Sequence, residues 1–199
     1  MNIMNPPPAW SFYTDCVERW AYCNEVFSKE ECENIIKIGK SNSLYKAKTV
    51  DELNTGKTTG VRDSNIVFLN PTPEIEFVYK RLTDIILRLN STYFDFDLFG
   101  FTESLQFTEY EAPTGHYGSH VDKLHGGVIR KLSIVVQLTE ETSYTGGDLE
   151  ILDSCEPEKL SRKQGDILVF PSYTSHRVTP VTTGTRYSLV GWISGKQFK

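Results

Sequence analysis

The sequence predicts an α+β fold, with helices in its first half and a layer of strands in its second. Three observations carry this. Two segments before residue 90 repeat apolar residues at helical spacing. From Ser104 onward that period disappears, and short runs rich in β-branched and aromatic residues replace it. Turn signals separate these runs at the spacing of a sandwich, jelly roll or barrel.

The first helix is expected to begin at Ser28. Its hydroxyl can accept from the Glu31 amide while the Glu31 carboxylate reaches back, forming a capping box. Cys32, Ile35, Ile36 and Ile38 follow, and Gly39 is expected to end the run. A second helix is expected from Thr72, with Pro73 in the first turn, where a missing N–H costs nothing. Ile75, Val78, Leu82, Ile85, Ile86 and Leu89 form one stripe, which predicts that the helices pack on a sheet. Between them, residues 46–60 are polar and read as a mobile surface loop, and residues 61–70 read as a strand. Later strands are expected at 104–110, 131–138, 148–152, 166–170, 177–181 and 187–193. The turns between them are marked by Gly126-Gly127, Gly146-Gly147, Gln164-Gly165, Pro171-Ser172 and Thr183-Gly184.

Composition narrows the function. A chain of 199 residues suits one domain and buries roughly 70% of its unfolded surface. With 21 basic and 26 acidic residues the formal charge is -5, which argues against a nucleic-acid or anionic-membrane partner. No stretch approaches the ~18 apolar residues of a membrane span. The first ten residues hold Pro6, Pro7 and Pro8 and show no secretory signal, so a cytoplasmic location is expected. Cys16, Cys23, Cys32 and Cys155 fit no zinc spacing and read as reduced thiols.

Any imidazole chemistry must draw on His116, His120, His125 and His176, the four histidines. In His120-Val121-Asp122 the outer residues lie two apart, so in a strand they project from one face. His176, just before an alternating run, can complete a set of two imidazoles and one carboxylate with open positions, an arrangement suited to non-heme Fe(II). Ten residues on, Arg186 could enter the same cavity, where a buried guanidinium needs an anion. Taken alone, a His-x-Asp pair is mostly incidental, and Arg186 alone would be a surface residue after a turn.

In this context the sequence resembles the 2-oxoglutarate- and Fe(II)-dependent dioxygenases, in their prolyl 4-hydroxylase-like branch. The matching pieces occur in order. They are Tyr110 and Tyr117; His120-Val121-Asp122; Arg130-Lys131-Leu132-Ser133; Gly146-Gly147-Asp148-Leu149; and Gly165 to Ser172, through His176 to Arg186-Tyr187-Ser188 and Trp192. The resemblance implies a double-stranded β-helix, or jelly-roll, core over residues 101–195, buttressed by a helical support region over 1–100, in a single catalytic domain.

The resemblance further implies that His120, Asp122 and His176 bind Fe(II) and that Arg186 pairs with the distal carboxylate of 2-oxoglutarate. Tyr110 would line the co-substrate pocket, and Ser188, on the face of Arg186, could add a hydroxyl. Gln137 departs from the family, standing where oxygen-sensing relatives carry a tyrosine; its amide could donate to the co-substrate. Trp192 reads as packing, and His116 and His125 as loop residues. Arg62-Asp63-Ser64 resembles the family's Arg-x-Ser strand near the substrate entrance, where Arg62 and Asp63 could help clamp a peptide.

The implied reaction consumes O2 and 2-oxoglutarate, releases succinate and CO2, and hydroxylates a C–H bond, with L-ascorbate as the reductant that restores iron. Its implied partner is a peptide or protein containing proline. Three alternatives stand beside this reading: a free amino acid as substrate, an alkylated nucleic acid, and a jelly-roll that binds metal or ligand without turnover. Nucleic-acid repair enzymes carry a second arginine where this chain has Trp192. A non-catalytic module would be expected to lack the ligands or Arg186.

Overall fold

A computed structural model describes residues 17–56, 59–122, 124–125 and 127–197. Residues 1–16, with Cys16 and the proline-containing start, lie outside them, as does the expected turn residue Gly126. The first half contains β1 (Ala21–Cys23), α1 (Lys29–Ser41), β2 (Tyr45–Lys46), α2 (Val50–Thr55), β3 (Arg62–Asp63), β4 (Asn65–Leu69) and α3 (Glu76–Leu89). Strands follow: β5 (Leu98–Phe101), β6 (Leu105–Glu111), β7 (His116–His120), β8 (Leu124–His125), β9 (Val128–Gln137), β10 (Thr145–Gly146) and β11 (Leu149–Ile151). The last are β12 (Glu158–Lys159), β13 (Ile167–Pro171), β14 (His176–Val178), β15 (Val181–Thr183) and β16 (Thr185–Gly195).

Two sheets carry the fold. Among the described residues the major sheet runs β1-β13-β9-β16-β6-β4-β2, with β5 on β16 and β8 on β9. The minor sheet runs β12-β11-β14-β7-β3. These neighbours pair antiparallel, as expected of a jelly roll whose consecutive strands cross between layers. The expected strand 61–70 is in fact two strands. Arg62–Asp63 pairs with β7 in the minor sheet, and Asn65–Leu69 pairs with β6 in the major one, so the chain changes layer at buried Ser64. The expected strand 177–181 likewise divides, its first part ending in β14 and Val181 opening β15.

The helices cover the outer face of the major sheet. Ser28 and Glu31 form the expected capping box, with the Glu31 amide 3.2 Å from Ser28 Oγ and the Ser28 amide 2.9 Å from Glu31 Oε2. Gly39 does not end α1, which runs on to Ser41. Its role is close approach: a Cβ there would lie 2.5 Å from Phe107 Cγ on the sheet beneath. The second helix starts at Glu76 rather than near Thr72, because a turn closed by Thr72 O and the Ile75 amide (3.0 Å) absorbs Pro73 first. Ile75, Val78, Leu82, Ile85, Ile86 and Leu89 are all buried against Phe107, Leu105, Ile134, Val136, Leu189 and Ile193.

Residues 46–56 are more regular than their composition suggests. They contribute to edge strand β2 and form α2, whose Thr49–Glu52 capping box mirrors that of α1. The Thr49 amide meets Glu52 Oε2 at 2.8 Å, and Gly56 closes the helix at a φ of 68°.

Candidate active site

The strand period sorts β6, β9 and β16 into two faces. Leu105, Phe107, Ile134, Val136, Leu189 and Ile193 face the helices. Gln106, Tyr110, Val135, Arg186, Ser188, Val190 and Trp192 face the other way, into a cavity of about 710 Å³ between the sheets. Lys46, Lys48, Arg62, Arg130 and Arg186 contribute to its wall, and Asp122 is the one acidic side chain there among the described residues.

His120, Asp122 and His176 converge in this cavity. The chain places His120 at the end of β7 and His176 at the start of β14, and these two residues are direct cross-strand partners. Asp122 lies just past β7, its amide bonded to Ser172 O at 2.9 Å. One ligand atom from each of the three lies within 4.8 Å of the others. His120 Nε2 is 3.6 Å from Asp122 Oδ1, and His176 Nε2 is 3.6 Å from Asp122 Oδ2.

The surrounding bonds orient all three. His120 Nδ1 lies 2.8 Å from Gly118 O and His176 Nδ1 lies 3.0 Å from Thr174 O. A carbonyl only accepts, so each Nδ1 carries the proton and each Nε2 lone pair is left for a metal. Asp122 Oδ2 accepts from Ser133 Oγ and from Trp192 Nε1, both at 2.9 Å. Ser133 spends its proton on the carboxylate, so Ser172 Oγ, 2.9 Å away, donates to it in turn.

Electrostatics keep the set ready to bind a cation. Burial first, and neighbouring His176 second, push the His120 imidazole down to about 4, so the ring is neutral at pH 7. Burial pushes Asp122 up, but His176, His120, Trp192 and Ser133 outweigh it and hold the carboxyl below its ordinary value. A carboxylate and two imidazoles, with their outer atoms tied down, fit a divalent transition metal with open positions.

Arg186 is buried on the same wall, 1% exposed. It is the Cα partner of Tyr110, whose ring centre lies 5.3 Å from the guanidinium carbon. Arg186 Nη2 donates to Gln137 Oε1 at 2.9 Å, while Nε and Nη1 are buried without a partner. A buried guanidinium with two unused donors fits a carboxylate-bearing ligand. Ser188 lines the cavity two residues along the same strand face.

Several placements differ from the sequence reading. Gln137 presents its oxygen to Arg186 and donates its N–H to Ser161 O, so its amide is already committed within the protein. Trp192 does more than pack, because its indole N–H holds the Asp122 carboxylate and its ring lies 3.7 Å below the Arg130 guanidinium. His116 is a strand residue, opening β7 opposite Asp63. His125 lies in β8.

Arg62 and Asp63 part company. Arg62 lines the mouth, its Nε bonded to Ser64 Oγ at 2.8 Å and its guanidinium 4.4 Å from the Tyr117 ring, which stacks on His120 at 3.6 Å. Asp63 is not among the residues on the cavity wall and accepts from Lys46 and Thr114 instead.

Residues 105–194 match the family model of the 2OG-Fe(II) oxygenase superfamily. That segment belongs to this superfamily. It contains the histidine–aspartate–histidine set, Arg186, Tyr110 and Ser188. Within the superfamily the likeness runs to a PKHD-type hydroxylase of Synechococcus sp. (strain CC9311), 46% identical over 80 residues, which are 40% of this chain and 36% of the relative. The chain thus spans little more than a third of that relative's length. The oxygenase fold itself extends further. A Pseudomonas putida prolyl-4-hydroxylase superposes with a TM-score of 0.69 at 20% identity, covering 90% of this chain and 94% of the other. A prolyl hydroxylase from Trichoplax adhaerens, solved with a hypoxia inducible factor oxygen degradation domain peptide fragment, gives a TM-score of 0.73 at 14% identity, covering 89% and 84%. Both superpositions show that this chain shares their fold. No helix among the described residues is long and apolar enough to cross a membrane.

Proposed function

We propose that this chain is a 2-oxoglutarate- and Fe(II)-dependent oxygenase that hydroxylates a proline in a peptide or protein, working as one domain of helical support and catalytic core. The carrying observation is Arg186, buried with two unpartnered nitrogens on the wall that also holds the two-imidazole, one-carboxylate set. His120, Asp122 and His176 would hold Fe(II), and Arg186, with Tyr110 and Ser188, would hold the distal carboxylate of 2-oxoglutarate.

Iron held there would supply the oxidising chemistry with O2, one oxygen atom going to succinate as 2-oxoglutarate loses CO2 and the other to the substrate C–H bond. The protein's own part is geometric. Gly118 O and Thr174 O hold the two imidazole tautomers, and Ser133 and Trp192 hold the carboxylate between them. Arg186 anchors the far end of the co-substrate, fixing its reactive end toward the metal ligands. Val135, Leu149 and Val190 keep the intervening wall apolar and restrict water. Arg62, stacked on Tyr117 beside His120, would contact the substrate at the mouth.

A peptide substrate is supported by the peptide bound to the Trichoplax protein. Proline is favoured by the prolyl-4-hydroxylase likeness. The test is a turnover assay across a peptide library with iron and 2-oxoglutarate. The expected result is one succinate per oxygen atom gained, located on proline by mass spectrometry. Metal-loaded, folded protein that fails to decarboxylate 2-oxoglutarate with every peptide tested would refute prolyl hydroxylation.

A further inference from the structure

We infer that Gln137 is a positioning residue for Arg186: it holds the guanidinium with a neutral oxygen, leaving the positive charge uncompensated for the distal carboxylate of the co-substrate. This rests on the reading of the site given above.

Gln137 ends β9, is 1% exposed and is the Cα partner of Ser188 on β16, so it stands beside Arg186. Its orientation is settled by its partners. Nε2 lies 2.9 Å from Ser161 O, which can only accept, and Oε1 lies 2.9 Å from Arg186 Nη2, which can only donate. Turning the amide over would spoil both contacts. The side of Gln137 facing the arginine is therefore an acceptor, and it offers the co-substrate no donor there.

The neutrality of Gln137 matters more than its shape. Buried arginines are ordinarily paired with carboxylates, yet among the described residues no carboxylate lies within ion-pair distance of Arg186. The charged and titratable groups placed around it are few. Tyr110 offers its ring face, and Tyr144 lies beside the arginine stem across Gly147, where a Cβ would sit 3.1 Å from Arg186 Cδ and 3.3 Å from Tyr144 Cε2. Asp166, the acid nearest along the Gln137–Ser161 relay, is taken by Ser161 Oγ at 2.6 Å and the Glu25 amide at 2.9 Å. A glutamate at position 137 could reach the guanidinium as the amide does and would neutralise it. An amide provides the anchor without that competition.

The experiment is an anaerobic titration of the Fe(II)-loaded protein, following the weak visible absorption that forms when a 2-oxo acid chelates the metal. The proteins are wild type, Gln137→Glu and Gln137→Met. The ligands are 2-oxoglutarate and 2-oxobutyrate, which keeps the chelating head but has no distal carboxylate. The expected loss of 2-oxoglutarate affinity is about 100-fold for Gln137→Glu and about 10-fold for Gln137→Met, which removes only the anchor. Binding of 2-oxobutyrate should stay within about 3-fold, given that it makes no contact with Arg186. In turnover, KM for 2-oxoglutarate should rise while kcat at saturation is kept.

Equal 2-oxoglutarate affinity in wild type and Gln137→Glu overturns the proposal and leaves the reading of the site intact. So does a Gln137→Met loss as deep as that of Gln137→Glu, or a matching loss with 2-oxobutyrate, since a merely structural residue would behave that way. A wild-type protein that binds iron but gives no saturable signal with 2-oxoglutarate overturns the site reading, and the proposal with it. If Gln137→Glu does not fold, Gln137→Met decides: a loss confined to 2-oxoglutarate supports the proposal, and no loss refutes it.

Discussion

The two faces of β16 differ completely although they share one backbone. Leu189 and Ile193 face α1 and α3 in a packed apolar layer. Arg186, Ser188 and Trp192 face the cavity, where almost every buried polar atom is tied to a neighbour. The outer face is interchangeable chemistry held by shape, worth the ordinary 2–5 kcal/mol per large side chain. The inner face is specific chemistry held by hydrogen bonds, and its two orphaned Arg186 nitrogens are a cost that only a ligand repays. Stability and activity should therefore separate cleanly by face.

The largest separation is expected at His176. His176→Ala should abolish iron binding and turnover, while thermal denaturation of the metal-free protein shows little change. Retained turnover would remove His176 from the ligand set. Next, Arg186→Met should raise KM for 2-oxoglutarate by about 10³-fold, given ~4 kcal/mol for a buried charged contact, with iron affinity kept. On the opposite face, Leu82→Ala should cost about 2–5 kcal/mol of unfolding free energy. Activity per folded molecule should stay at the wild-type level, and a changed KM would show that the faces are coupled.

Two smaller effects sharpen the contrast. Trp192→Phe keeps the ring but removes the indole N–H from Asp122, and should weaken iron affinity about 10–100-fold. Unchanged affinity by metal titration would return Trp192 to a packing role. Gly39→Ala places a methyl against Phe107 and should cost about 1–3 kcal/mol, read by denaturant unfolding. A neutral result would mean that α1 can slide on the sheet.

Much of this division could be read from the chain before its fold was known. The period-two alternation separates Leu132, Ile134 and Val136 from Ser133, Val135 and Gln137, and the structure keeps that separation. The stripe from Ile75 to Leu89 was equally plain, because a helix must hide such a face. His120, Asp122, His176 and Arg186 stood out because their residue types and order match a known pattern, and the fold brings them onto one cavity wall.

What stayed hidden depends on contacts between distant segments. Trp192 meets Asp122 across 70 positions and Gln137 meets Ser161 across 24, and no local pattern encodes such a meeting. The Ser64 layer change was hidden because Arg62–Leu69 reads as one extended run until two different partners claim its halves. Helix α2 was missed for another reason. Its Thr49-x-x-Glu52 capping box was visible, but the polar composition around it resembled a loop.

The central claim, that the inner face binds iron and 2-oxoglutarate together for oxidation, is tested most directly by one measurement. Metal-loaded protein with 2-oxoglutarate is prepared without oxygen, its visible absorption recorded, and oxygen admitted together with a proline-containing peptide. The expected result is that the absorption decays as succinate appears and the peptide gains one oxygen atom. Absorption that persists in oxygen, with no succinate formed, would contradict it and make this cavity a binding site without turnover.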